Sequence, residues 1–467
     1  MAQTQAIQQR KPSGHVKNMT VGNPYKLMIG FALPVFLSEL FQQLYNTADA
    51  FIVGQVLGTE SLAAVSSSGP LIFLIVSFFT GTAMGGGVVI SRYFGAGDET
   101  QVSRSIHTIL ALGLASGLVI TVAGVALTPT LLELLNTDQS VIGEAIDYFR
   151  YYFMGGLSLV LYNICRSIMN ALGDSRRPLY YLIFSSMLNV TLDLLFLAVF
   201  RWGVWAAALA TVLSQTASVV LCMAHLLKKG NVFTVQLRKI RFHKEILLQI
   251  LRYGMPAGVQ NSVIAVANVV VQSQINTFGA SAMAAYGVHA KIEGFAFLPI
   301  TSFNMASSTF VGQNLGARQY DRAKKGARFC ILTAVSIAEV IGVVMFFASP
   351  YLIGLFDSTK EVIDYGVTQA QTVTLFYCLL AFSHSVAAVC RGAGKAFVPM
   401  FVMLSVWCAV RITYILLVMH FFGKIAYVYW AYPLTWGISS VIYLLYYLFS
   451  DWVHGFEKKE KAALAAK

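Results

Sequence analysis

Runs of about 20 apolar residues recur along this chain from end to end, and each has the length a helix needs to cross the hydrocarbon core of a bilayer. That recurrence restricts the fold more than any local motif does. Twelve such spans can be drawn, at 27–56, 68–92, 105–128, 145–168, 178–200, 204–227, 247–277, 282–312, 326–348, 364–390, 397–422 and 427–450. Composition agrees: of 467 residues, 57% are hydrophobic and 12% charged, against about 25% charged in a soluble domain. The expected fold class is an all-α integral membrane protein of twelve transmembrane helices in two pseudo-symmetric six-helix lobes. The six cysteines fall in or beside the spans with no CxxC spacing, so they read as small core residues, and neither a disulfide framework nor a metal site is indicated. The polar, basic first 26 residues are followed by no signal-type apolar segment, so no cleaved signal peptide is expected.

The net charge of +12 is a topology signal. Basic residues gather at alternate connections: Arg10, Lys11, Lys17 and Lys26, then Arg176 and Arg177, then the run from Lys228 to Lys244, then Arg318 to Arg328, then Lys458 to Lys461. The opposite loops are poor in bases; residues 128–148 hold Glu133, Asp138, Glu144 and Asp147 and no lysine or arginine. The bias of positive charge toward the cytoplasm puts both termini there, in a multi-pass protein of the cell inner membrane, and removes nucleic acid as a partner.

The chain says nearly the same thing twice, about 221 residues apart. Pro34 recurs as Pro256, Gly58 as Gly279, Ala63-Ala64 as Ala284-Ala285, Gly95-Ala96 as Gly316-Ala317, Gly173 as Gly394 and Pro178 as Pro399. An apolar duplicated chain is the pattern of a secondary transporter whose path runs between two halves. With six spans in each half, the repeats share one orientation and are related by an axis along the membrane normal. The expected organisation is a cytoplasmic tail at 1–26, an amino-terminal lobe at 27–227, a cytoplasmic amphipathic linker at 228–246, a carboxy-terminal lobe at 247–450 and a cytoplasmic tail at 451–467. Gly85-Gly86-Gly87 follows no strand and precedes no lysine, so it reads as close helix packing and not as a phosphate loop. Pro34 lies inside the first span, where the missing backbone donor creates a bend or a hinge.

The duplication breaks where charge matters. Asp49 and Asp193 map onto Val270 and Tyr414. A carboxylate inside a span costs roughly 2.5–3.5 kcal/mol on insertion scales, so it requires a partner, a proton or an ion. Asn189 and Asp193 are four apart and share a helical face, and Thr211 adds a hydroxyl from the next span. Two carboxylates, an amide oxygen and a hydroxyl suit a hard cation; the same two acids brought close in low dielectric suit a proton. Asn189 and Thr211 alone would also serve as glue between helices.

At these residues the chain resembles a known family. Tyr45-Asn46-Xaa-Ala48-Asp49 after Pro34, Gly95-Ala96-Gly97, Arg166 followed by Gly173-Asp174 and Pro178, Asn189-Xaa-Xaa-Xaa-Asp193, and Val311-Gly312-Gln313-Asn314-Leu315-Gly316-Ala317 are together similar to the multidrug and toxic compound extrusion family, over residues 25 to 450. The resemblance implies export of cationic, often aromatic drugs and dyes, driven by Na+ or H+ as the coupling ion, with no bound cofactor and no enzymatic activity. It implies that the acid matching Asp49 couples the ion to a bend at the proline matching Pro34, that Asn189, Asp193 and Thr211 complete the cation site, and that Asn163 is a further polar position of that lobe. One branch of the family carries essential acids in its seventh and tenth helices. Here the seventh span offers Gln260, Asn261, Asn268, Gln272 and Gln274 and the tenth His384, so this chain resembles the DinF-like and MepA-like branch, with coupling in the amino lobe.

Further candidates surround that core. Tyr45 and Asn46 flank the acid, and Gln260, Asn261 and His384 are substrate or gating positions. Glu39, about 15 Å below Asp49 along a helix, could attract a cationic substrate. Glu293 resembles a glutamate common in the branch and could bind substrate, gate, or pair with Lys291 or Arg411. Glu339 and Arg411 are expected to pair with each other. Partners are small organic cations and the lipid bilayer, and a monomer is expected. Two rivals stand beside the antiporter: a flippase for a lipid-linked precursor, which needs a more basic cavity, and a membrane-embedded transferase, for which no Asp-rich or His/Asp constellation is present.

Overall fold

The computed structural model describes residues 17–58, 61, 65, 69–134, 141–228 and 233–454. The expected bases Arg10, Lys11, Lys229 and 458–461, and Ala63-Ala64, lie outside them. Among the described residues the chain is helical without strands, and the helices form twelve rods. In chain order these are α1 (Pro24–Leu57), α2 (Gly69–Ala96), α3 (Glu99–Leu134), α4 (Ile142–Met154 and Gly156–Ala171), α5 (Arg176–Asp193 with a π turn, Leu194–Val199) and α6 (Trp205–Leu227). The second set is α7 (Lys244–Asn276), α8 (Ala280–Ala296 and Leu298–Gly316), α9 (Tyr320–Gly354), α10 (Lys360–Val373 and Tyr377–Gly392), α11 (Phe397–Val402, a π turn at Met403–Val410, then Arg411–Phe421) and α12 (Ile425–Phe449). Each corresponds to one expected span. Eight are individually long and apolar enough to cross a membrane. Their apolar side chains face outward as well as inward: on α9, Phe347 is 73% exposed although the helix is strongly apolar, the distribution expected of a lipid-facing rod.

Contacts divide the chain into two compact units. Unit 1 holds residues 1–18 with 37–258, and unit 2 holds 19–36 with 259–467. The divisions fall three residues beyond Pro34 and three beyond Pro256, inside α1 and α7, and not in the linker at 228–246. A helix that changes its neighbours next to a proline loses little, because the proline has already removed a rung of its hydrogen-bond ladder.

The duplication persists at the level of the backbone. Gly58 and Gly279 both have positive φ, as do Gly173 and Gly394, and Gly97 at +73° is matched by Arg318 at +58°. Left-handed backbone is strained for a residue with a Cβ, so retaining it at Arg318 marks a turn that the fold demands. At Gly173 a second constraint is added: a Cβ there would strike the carbonyl oxygen of Lys17, whose N–H donates to Gly173 O at 3.3 Å. The three glycines 85–87 face three helices; a methyl would strike Gly254 of α7 from Gly85, Ile109 of α3 from Gly86 and Ser167 of α4 from Gly87. Close packing, as expected, is their role.

The linker is pinned to α3 by two histidines. His107 Nδ1 donates to Ser103 O (2.6 Å) and its Nε2 accepts from Gln236 N–H (3.1 Å). His243 Nδ1 lies 3.0 Å from Thr108 Oγ1, and Nε2 accepts from Arg241 Nε at 3.3 Å. Both rings are therefore used in their neutral form. Partial burial, then the Arg241 and Arg104 charges and His107, hold His243 below the ordinary histidine range.

Two outcomes are expected. Gly58→Ala, with open space for its Cβ, should cost about 1 kcal/mol of backbone strain, and Gly173→Ala clearly more, read as thermal unfolding of the solubilised protein. Because the folded-state pKa of His243 lies below its unfolded value, linker docking is favoured above about pH 6.5 and weakens as pH falls below it. Hydrogen exchange in residues 235–243, corrected for its intrinsic pH dependence, should accelerate over that window.

Candidate functional site

Four helices of unit 1 each present a polar pair at a spacing of four, so each pair shares a face: Tyr45 and Asp49 on α1, Tyr148 and Tyr152 on α4, Asn189 and Asp193 on α5, and Thr211 and Gln215 on α6. The structure brings these faces together. The Asp49 and Asp193 carboxyl groups lie within hydrogen-bonding reach of each other. Tyr148 and Tyr152 stand close enough to Asp49 to feel its charge, and Tyr45 meets Gln215. Asn189 Nδ2 donates to Thr211 Oγ1 at 3.4 Å. Asn189 and Asp193 are fully buried and Thr211 nearly so.

The polar atoms of this cluster are under-used. Asp49 Oδ1, Asn189 Oδ1 and both carboxylate oxygens of Asp193 are shielded from solvent and accept no hydrogen bond within the described residues. Burying such groups without partners is costly. The arrangement is all oxygen: four uncommitted acceptors and a hydroxyl. It can take a monovalent cation between them, or a proton that turns one carboxyl into a donor to the other. Asp193 is also the last residue before the π turn of α5, a wider coil of the kind frequent at functional sites.

Other expected candidates are placed differently. Glu39 forms an ion pair with Arg166 of α4, so its charge is compensated within unit 1. Asn46 is exposed, and Asn163 Nδ2 donates to Leu159 O of its own helix (2.9 Å). In unit 2, Gln260 is buried against Met403 Sδ, Asn261 is half-buried, and His384 lies edge-to-face between the rings of Phe297 and Trp407. The expected Glu339–Arg411 pair does not form. Arg411 donates from Nε and Nη2 to Thr435 Oγ1 and sits over the Trp407 and Tyr432 rings, whereas Glu339 meets Cys378 because α10 packs on α9. Lys291 is exposed, leaving Arg411 as the cation that Glu293 feels. Tyr148, Tyr152 and Gln215 are site residues that the sequence reading passed over; the spacing of four, repeated on four helices, is the signal that would have found them.

A duplicated twelve-rod bundle with an uncompensated acid pair inside one half defines a multi-pass membrane transporter. The chain matches the MatE family over residues 34–195 and 256–417 and belongs to that family. The probable multidrug resistance protein YoeA of Bacillus subtilis is 29% identical over 435 residues, covering 91% of this chain and 94% of that protein. The multidrug export protein MepA of Staphylococcus saprophyticus is 24% identical, covering 73% and 75%, and a protein named FAD transporter in Shewanella oneidensis is 24% identical, covering 73% and 76%. Among solved structures, a MOP superfamily transporter from Pyrococcus furiosus superposes with a TM-score of 0.87 at 23% identity, over 94% of this chain and 98% of that one.

The Glu39–Arg166 pair has a testable consequence. Arg166→Ala leaves Glu39 without its partner and should cost about 2 kcal/mol, less than a fully buried pair would because Glu39 keeps 26% exposure. Replacing both residues by glutamine should cost less than that single change in a thermal unfolding assay, since no unpaired charge remains.

Proposed function

We propose that this protein is a secondary active multidrug efflux antiporter, exporting organic cations in exchange for Na+ or H+ taken up at the acids of unit 1. The observation that carries this reading is the juxtaposition of Asp49 and Asp193, whose shielded oxygens have no hydrogen-bond donor among the described residues to satisfy them. Asp49, Asn189, Asp193 and Thr211 supply the oxygen ligands if the ion is Na+, and Asp49 with Asp193 shares the proton if it is H+. Either ion joins α1 to α5. Because α1 carries Pro34, the strain of that junction is released as a bend of α1 near the proline, which narrows the amino-terminal lobe and expels the substrate. Tyr45, Tyr148 and Tyr152 offer ring faces to an aromatic cation. The names of the relatives YoeA and MepA are in keeping with a drug cargo. The FAD transporter relative raises an anionic cargo, and a flippase would likewise carry phosphate; both would set negative charge against the two acids, and the cationic cargo is preferred for that reason. The alternating basic loops support an inner-membrane protein with both termini in the cytoplasm, acting as a monomer.

Reconstituted vesicles test the reading. Wild-type protein should expel a cationic dye when an inward Na+ or proton gradient is imposed, and should leave FAD untouched. Asp49→Asn should reduce dye efflux to background while the protein inserts and elutes as wild type. A variant that still extrudes dye at the normal rate would remove Asp49 from the mechanism, and efflux with neither gradient would remove antiport.

A further inference from the structure

Unit 2 contains a small cavity of about 20 Å³, whose wall includes Tyr286, His289 and Glu293 of α8, Gln369 of α10, and Tyr432 and Trp436 of α12. Three of these residues are almost wholly buried and unsatisfied. His289 is 1% exposed with neither ring nitrogen hydrogen-bonded, Gln369 is 3% exposed with Oε1 unpartnered, and Trp436 is 2% exposed with Nε1 unpartnered. So many uncommitted groups around one space imply an occupant. The volume is that of a single water molecule, which needs about 10–15 Å³ and two to four polar partners.

The chemistry of the walls selects among occupants. Trp436 Nε1 can only donate, Gln369 Oε1 can only accept, and His289 does one of each; water satisfies all three and a bare metal ion does not. The guanidinium of Arg411, 2% exposed, lies 4.6 Å over the Tyr432 ring and opposes a cation. The Glu293 carboxyl opposes an anion. Around Glu293 itself stand Tyr377 of α10, close enough to feel its charge, Arg411 of α11, Tyr432 of α12, and Tyr286 on its own helix, whose hydroxyl is 2.9 Å from that of Tyr432.

The position in the repeat is equally informative. Gln369, Val373, Tyr432 and Trp436 stand 221 residues after Tyr148, Tyr152, Thr211 and Gln215, the residues gathered around the acids of unit 1. Four positions of the duplicated fold thus serve both places, with a different side chain at each.

We propose that this cavity is a second ionisable site, in which one ordered water joins Glu293 to His289, Gln369 and Trp436 and carries protons to and from the Glu293 carboxyl. In uptake, an O–H bond of hydronium breaks, one forms on the carboxylate, and the water stays behind. The site refuses metal cations. It stands on unit 2 alone, independent of which ion the acids of unit 1 take.

Infrared difference spectra of the full chain in lipid nanodiscs, recorded across a pH titration, provide the test. Wild-type protein should show a carboxyl C=O band that shifts in D2O, disappears in Glu293→Gln and persists in Asp49→Asn, whatever that second variant does to efflux. Tyr377→Phe, which removes only a hydroxyl, should move the titration midpoint of the same band, and keeps the test available if Glu293→Gln does not fold. A band unaltered in Glu293→Gln, or unmoved in Tyr377→Phe, overturns the proposal. Loss of the band on adding Na+ or K+ at fixed pH overturns it too, by revealing a metal-cation site.

Discussion

Two carboxyl groups on different helices are held against each other inside unit 1, and the local structure around them answers to that arrangement. Asp49 and Asp193 face one another with shielded oxygens that no hydrogen bond of the described chain satisfies. Arg166 of the same unit is paired with Glu39. In a medium that solvates charge poorly such a pair is costly unless a proton, a cation or another partner neutralises it. The tyrosines of α4 and the amide and hydroxyl of α5 and α6 exclude water without supplying a permanent counter-charge. Antiport, as proposed, rests on that unmet demand.

The second unit shows what the duplication conserved and what it released. Conserved are features of the backbone: left-handed turns at matched positions, a proline inside the first helix of each set, a unit boundary three residues beyond it, and a π turn in both α5 and α11. Released is the chemistry. Asp193 ends the regular part of α5 just before its π turn, whereas in α11 Arg411 follows the π turn directly. Backbone features are shared because each rod must satisfy its own hydrogen bonds in lipid. Side chains turned into the interior of a unit are free to diverge as long as their charges are managed.

How far the site was legible from residues depends on rarity. Asp49 and Asp193 stand out because a charge in an apolar run is expensive, so their presence already implies a use. Tyr148, Tyr152 and Gln215 did not stand out, because tyrosine and glutamine in a membrane helix are cheap and common at its ends. Glu39 is paired with Arg166, and Glu339 meets Cys378 and not Arg411 because α10 lies against α9. Pairings between charges distant in the chain follow from which helix faces which, and apolar periodicity carries no record of that.

The amino-acid order by itself determined that this is a membrane protein of twelve helices in two like halves, with Asp49 and Asp193 of the first unmatched by acids at the equivalent positions of the second, because bilayer thickness and the cost of buried charge act on residues one at a time. Only the tertiary structure decided that the two acids meet, that Tyr45, Tyr148 and Tyr152 gather near them, that the unit boundaries pass through α1 and α7, and that matching positions of unit 2 line a small cavity. Those outcomes depend on helix rotation and neighbour choice, where a small change in angle decides which side chains face each other.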